Sequence, residues 1–214
     1  MSESQASQSG SIDPAAFLGP KGGELLAQHF EEFRPRLEKI VAFRLDPSFR
    51  SRIDPADVVQ ESYFEIARRI HEYAATRGLP LFIWIRQRVL QTMIDLQRSH
   101  SREKRSVHRE SRLPEPQFNQ STSLSIARIL MDDLPSPSQA AMLVEEQQRL
   151  QSALDSMHEI DREVLAMRHF EQLTNSEVAE VLGLSPTAAS NRYVRAAARL
   201  SEILKMLPGH RGHE

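Results

Sequence analysis

Residues 173–200, LTNSEVAEVLGLSPTAASNRYVRAAARL, constrain the fold more than any other stretch, because two helix starts and one tight turn are written into them. Thr174 followed by Glu177 is a capping box: the Thr hydroxyl accepts an N–H of the first turn, and the Glu side chain reaches back to the N–H of the cap. A helix is therefore predicted from near Asn175, with Val178, Ala179, Val181 and Leu182 on its apolar side. Gly183 stands where a helix ends in the left-handed conformation that glycine adopts cheaply. Ser185-Pro186 then caps a second helix, with Pro at the first helical position, where its missing N–H costs nothing. Two helices joined by about three residues around a glycine are the sequence form of a helix-turn-helix.

On a helical wheel the second helix gathers Ala189, Tyr193, Ala196, Leu200 and Leu204 on one side, with Thr187, Asn191 and Arg195 opposite. Arg192 and Arg199 lie on the shoulder, where long cations reach phosphates while their stems cover the core edge. Small polar residues and Arg near a helix start suit base edges, since Asn pairs twice with adenine and Arg with guanine. Val194 also points outward, and we expect it to touch a thymine methyl. A solvated face on a core helix is the competing reading.

Composition narrows the class. The chain has 214 residues and 40% hydrophobic content, enough for real cores, and no cysteine, which excludes disulfides, thiolate metal sites and thiol catalysis. No apolar run of about 18 residues occurs, and MSESQASQSG lacks the basic start and apolar core of a signal peptide, so a cytoplasmic, mainly helical protein is expected. The net charge of −2 conceals a division. Between Arg86 and Arg112 eight Arg and Lys face three acids, whereas from Leu113 to Ile160 two face seven.

Residues 1–20 are rich in Ser, Gln and Gly and read as a disordered tail. A helix is predicted over 24–45, kinked or restarted at Pro35, and Asp46-Pro47 ends it. Asp54-Pro55 starts another that runs to about Ala75 with Val59, Tyr63, Ile66, Ile70 and Tyr73 as its seam. Asp57, Glu61, Glu65 and Glu72 share a different face, with Gln60 beside it; this stripe is either solvated surface or a docking face for a basic helix. A third helix begins near Leu81, with Leu81, Ile85, Val89, Thr92 and Leu96 inward and Trp84 as an anchor. Past Leu96 the apolar pattern nearly stops, while Arg98, Arg102, Arg105, Arg109 and Arg112 continue along one face. Phosphate neutralisation is one use for such a row, and pairing with Glu103 and Glu110 is the alternative.

Four prolines mark 113–138 as a flexible acidic linker, with a short helix possible at 125–131. Helices at 139–156 and 162–169, the latter capped by Asp161, would close a small core with the helix-turn-helix. No Gly-rich phosphate loop, metal-ligand spacing or distinctive carboxylate pair occurs, so the chain is read as a non-enzyme without cofactor or metal.

Three separated stretches, DPADVVQESYFEIARRI at 54–70, WIRQRVLQTMIDLQR at 84–98 and the terminal helix-turn-helix, resemble an extracytoplasmic-function sigma factor of bacterial RNA polymerase. The resemblance covers about 25–112 and 140–205. It implies an all-α fold of two helical modules: 21–112 for core polymerase and the −10 element, and 139–207 for the −35 element. The 113–138 linker joins them, and 208–214 is a tail. It implies that Asp57, Val58, Gln60, Glu61 and Glu65 dock on core RNA polymerase, and that Trp84, Arg88, Gln91, Asp95, Arg98, Arg102 and Arg105 face the −10 DNA. It also implies −35 contacts by Pro186, Thr187, Ser190, Asn191, Arg192, Arg195 and Arg199, a base-capturing loop at 73–79, and an anti-sigma factor as a further partner. Gln91 replaces an Asn common in the family, and Arg88 an apolar residue. The rival readings are a stand-alone helix-turn-helix regulator and a helical protein-binding adaptor.

Overall fold

The computed structural model describes residues 13–75, 78–107, 118–132 and 140–205. Among them there is no strand, and eight α-helices carry the fold: α1 Gly22–Arg44, α2 Pro55–Ala75, α3 Leu81–Val107, α4 Phe118–Asp132, α5 Ala140–Asp155, α6 Glu159–Leu165, α7 Asn175–Leu182 and α8 Pro186–Lys205. The expected all-α class is what is found.

Helices α1, α2 and α3 pack around Phe30, Leu37, Ile40, Ile66, Ile83 and Ile85, all nearly or fully buried. Asp54 caps α2 as expected, its carboxylate accepting the Ala56 N–H at 2.8 Å. Pro35, expected to kink or restart α1, sits inside one uninterrupted helix. Its ring is exposed, so water can take the carbonyl its missing N–H leaves free. The tail expected over 1–20 is shorter than the reading allowed. Pro14–Leu18 form a 3-10 turn capped by Asp13, and Phe17 is buried edge-on against Tyr73, ring centroids 5.7 Å apart. Gly22 permits this, since a Cβ there would lie 2.0 Å from the Phe17 carbonyl oxygen.

In the second module the opening motif folds as read. Thr174 Oγ1 accepts the Glu177 N–H at 3.2 Å and Glu177 Oε2 accepts the Thr174 N–H at 2.7 Å. Gly183 closes α7 at φ 62°, with the Leu184 N–H returning to the Ala179 carbonyl at 2.9 Å, a Schellman closure. Ser185 Oγ accepts the Ala188 N–H at 3.1 Å. The helix expected over 162–169 differs at both ends. His158, not Asp161, caps α6, and the chain then widens into a π turn at Ala166–Phe170. After the π turn Glu171 is buried, and Gln172, at φ 56°, is exposed.

The stretch expected to be a flexible linker contains α4, a 15-residue helix rather than a short one. Ile126 and Ala127 are fully buried with Leu150, Leu154, Leu165, Ala196 and Ile203, so α4 is part of the second module's core. Apolar residues within a Pro-bounded segment drive this; the prolines mark only its ends.

The two modules also meet. Val164, Met167, Leu173, Val178 and Ala179 belong to the same buried cluster as Phe30, Leu37 and Ile83, and Phe43 stacks on Phe170 at 4.8 Å. At the centre of the seam lies the Glu171 side chain, with no exposure. It accepts from Arg44 Nε and from Arg86 Nε, each at 2.6 Å. Arg44 Nη1 donates to Thr122 Oγ1 and to Glu163 Oε1, each at 3.0 Å, and Thr122 donates to Glu163 at 2.7 Å. Arg44 Nη2 stands 2.5 Å from Glu171 Oε1, but not in hydrogen-bond alignment. Burial would push the Glu171 carboxyl up, but the guanidiniums of Arg44 and Arg86 outweigh it and hold it at about 2. Arg36 adds Nη2 to the Gln172 carbonyl at 2.9 Å and lies 3.9 Å over the Phe82 ring.

Candidate nucleic-acid interface

Helix α8 presents its first two turns outward. Pro186, Thr187, Ser190, Asn191 and Arg195 are exposed, and Val194 is 62% exposed, while Ala189, Ala196 and Ile203 are buried. Tyr193 is half-buried, its hydroxyl 3.0 Å from His169 Nε2 and the Arg168 guanidinium 5.3 Å from its ring. This pins the orientation of α8 on the π turn. Arg192 donates to Asp161 Oδ1 at 2.9 Å and Arg199 to Glu202 at 3.0 Å. Arg195 alone of the three has no ion pair among the described residues, which leaves it free for a guanine edge.

The candidate residues of the first module divide into exposed and buried sets. On α2, Asp57, Gln60 and Glu61 are exposed, and Phe64 projects beside them at 68% exposure. Glu65 is held by Arg68 and Arg69, and Glu72 by Arg88 at 3.1 Å, so part of the acidic stripe is neutralised internally. Val58, expected on the docking face, has no exposure and belongs to the buried cluster that also holds Val59 and Ile66. On α3, Arg88, Gln91, Asp95 and Arg98 follow one another at spacings of three and four along one face. Gln91 Nε2 donates to Asp95 at 3.1 Å, and Arg98 lies 3.8 Å from the same carboxylate. Trp84, expected to face DNA, is 3% exposed, packed 5.5 Å from Tyr73 with Arg88 over its ring at 5.4 Å; it can position Arg88 but does not itself reach a ligand. Arg102 and Arg105 extend the helix, with side chains outside the described ones, and Arg109 and Arg112 lie outside the described residues. Tyr73, at the start of the expected base-capturing loop, is buried, and residues 76–77 lie outside the described residues.

Residues 147–200 match the family model described as sigma-70, region 4. The chain is also 29% identical over 151 residues to a probable RNA polymerase sigma factor, RfaY, of Xanthomonas campestris pv. campestris, a match covering 70% of this chain and 34% of that relative. These two likenesses support a sigma factor of extracytoplasmic-function-like type. The chain spans about a third of the length of the curated relative it matches.

The matched segment contains the π turn, the capping box, Gly183 and the exposed start of α8, so the helix-turn-helix lies inside the region 4 match. Sequence reasoning missed the residues at the seam. Arg86 was counted with the basic row of the third helix, yet its side chain is 5% exposed and committed to Glu171. The available signal was positional: Arg44 stands between Phe43 and Leu45, and Arg86 follows Trp84 and Ile85, where a solvated cation is out of place.

Proposed function

We propose that this chain is a sigma factor that binds core RNA polymerase and directs initiation at promoters, without catalytic chemistry of its own. Asp57, Gln60 and Glu61 would dock on the core enzyme, with Glu65 in support. Arg88, Gln91, Asp95 and Arg98, with Arg102 and Arg105 beyond, would line the −10 DNA. Pro186, Thr187, Ser190, Asn191 and Arg195 would read the −35 element, with Arg192 and Arg199 at the phosphate edge. Core polymerase and promoter DNA are the partners, an anti-sigma factor a further one, and the cytoplasm the place of action. No helix among the described residues is long and apolar enough to cross a membrane.

The observation carrying this reading is the exposed polar face of α8 inside the matched region 4 segment, with Arg195 in no ion pair among the described residues. Opening DNA costs a few kcal/mol per unstacked base, so both DNA contacts and the polymerase contact must contribute together. The test is in-vitro transcription with core polymerase on genomic fragments, followed by start-site mapping. Arg195→Ala is expected to weaken use of matched −35 sequences by about 1–3 kcal/mol. Absence of specific initiation from every fragment would sink the reading, and tight duplex binding without polymerase would favour a stand-alone regulator.

A further inference from the structure

We propose that a cavity where α1, residues 45–55 and α4 come together binds a small apolar acid, a molecule with one carboxylate on an aliphatic or aromatic body. The cavity measures about 430 Å³, within the usual range for small-molecule sites. At roughly 30 Å³ per non-hydrogen atom, the share of a water in the liquid, it holds about 14 atoms. None of the residues assigned above to polymerase or promoter contact lines it, so the site stands independently of that function.

Its lining divides by chemistry. Phe43 and Phe170, stacked at 4.8 Å with their planes 8° apart, form the apolar part together with Ile53 and Ile129. The charged part is Lys39, Arg50 and Arg128, and no Asp or Glu lines the cavity to answer them. The Arg50 guanidinium is held by its Nη2, which donates to the Ala42 carbonyl at 2.8 Å, while its Nε is buried without a partner. Arg128 Nε is buried in the same way, and neither Arg128 nor Lys39 has an ion pair among the described residues. By contrast, Arg44 and Arg86 are paired with Glu171, Arg88 with Glu72 and Arg192 with Asp161. Withdrawing a charge from water is costly until it is paired, so three unanswered cations around one cavity favour an anion there.

The apolar lining decides what carries that anion. Duplex DNA needs cations spread along a surface to follow its phosphates, whereas these three share a single concavity with aromatic and branched side chains. A guanidinium presents paired donors that match the two oxygens of a carboxylate, and the rings and isoleucines take an apolar body. An apolar wall with a few polar groups that fix orientation is the general build of a small-molecule site.

Octanoate fits within the cavity volume and serves as the probe. Isothermal titration calorimetry of the full-length protein, with octanoate kept below micelle formation, is expected to show one saturable site. Octanol, the same chain without the charge, should bind about tenfold more weakly or worse, and so should octanoate to Arg128→Gln. Ile129→Trp fills the cavity while keeping all three cations, and it should weaken octanoate by a similar factor. Circular dichroism without ligand checks that each variant folds, and the octanol comparison uses the unaltered protein, so it decides even if a variant does not. Absence of saturable binding, equal binding of octanol, or unchanged octanoate affinity in either folded variant would overturn the proposal. Loss of duplex-DNA affinity in Arg128→Gln, with no octanoate binding to the unaltered protein, would overturn it in favour of a nucleic-acid contact.

Discussion

Replacing Glu171 with Gln removes one charge from the seam while keeping shape. The carboxylate accepts two charge-assisted hydrogen bonds, from Arg44 Nε and Arg86 Nε, each at 2.6 Å. Such bonds contribute about 1.5–3 kcal/mol each, and an amide keeps one oxygen acceptor at neutral strength, about 1 kcal/mol, while its NH2 confronts a guanidinium. The expected loss is therefore about 3 kcal/mol, at the low end of what breaking a buried pair from one side costs. The pH profile offers an independent check on the same interaction. Glu171 has its carboxyl held at about 2 against an ordinary 4.5, so its contribution is complete above about pH 5 and is lost as the pH falls from 4.5 through 2. A depression of about 2.5 units at about 1.36 kcal/mol per unit is again about 3 kcal/mol, and it is not added to the first figure. Urea denaturation at pH 7, 5, 4 and 3 measures both, followed by circular dichroism and by fluorescence of the single tryptophan, Trp84, two residues before Arg86. The wild-type advantage should be constant from pH 7 to 5 and shrink below 4.5. Curves that coincide within about 0.5 kcal/mol at pH 7, or a gap that persists unchanged to pH 3, would refute the reasoning.

Gly22→Ala should push the Pro14–Leu18 turn off α1, because the added Cβ meets the Phe17 carbonyl at 2.0 Å; exposing Phe17 would cost about 1.5–3 kcal/mol in urea unfolding and open the turn to proteases. Gly183→Ala meets no atom within 4 Å, so its cost is purely that of a left-handed residue, about 1–2 kcal/mol, and a neutral result would contradict the φ of 62°. Phe64→Ala should leave unfolding within about 0.5 kcal/mol of wild type, given its exposure, yet weaken association with core polymerase in a pull-down titration; unchanged association would remove Phe64 from the docking face.

Signals that act within one turn were legible in the sequence. The capping box at Thr174, the glycine closure at 183 and the Asp54 and Ser185 caps were each placed correctly, because partner and residue are no more than five positions apart. The π turn was not, since widening by one residue leaves no local mark and is fixed by what Glu171 meets across the seam. Helix α4 was only partly visible because the prolines around it suggested a loop, whereas Ile126 and Ala127 find their partners in α5, α6 and α8. Val58 and Trp84 show the same limit at the candidate site. A family pattern says which positions matter, but burial decides whether a residue touches the partner or holds one that does. Arg86 is the instructive case: read along its own helix it is one more cation in a basic row, and only a residue 85 positions away turns it inward.

The charge at this seam is not by itself a source of stability. A buried ion pair is weak support for stability, since well-packed apolar residues in its place are often as good or better. The apolar part of the same seam joins Val164, Met167, Leu173, Val178 and Ala179 to the cluster of Phe30, Leu37 and Ile83, and it carries the hydrophobic share of the packing. The triple variant Arg44→Met, Arg86→Met, Glu171→Met separates the two contributions. If the apolar cluster holds the modules together, the variant should resist urea at least as well as wild type; a loss of several kcal/mol would show instead that the ion pairs hold them.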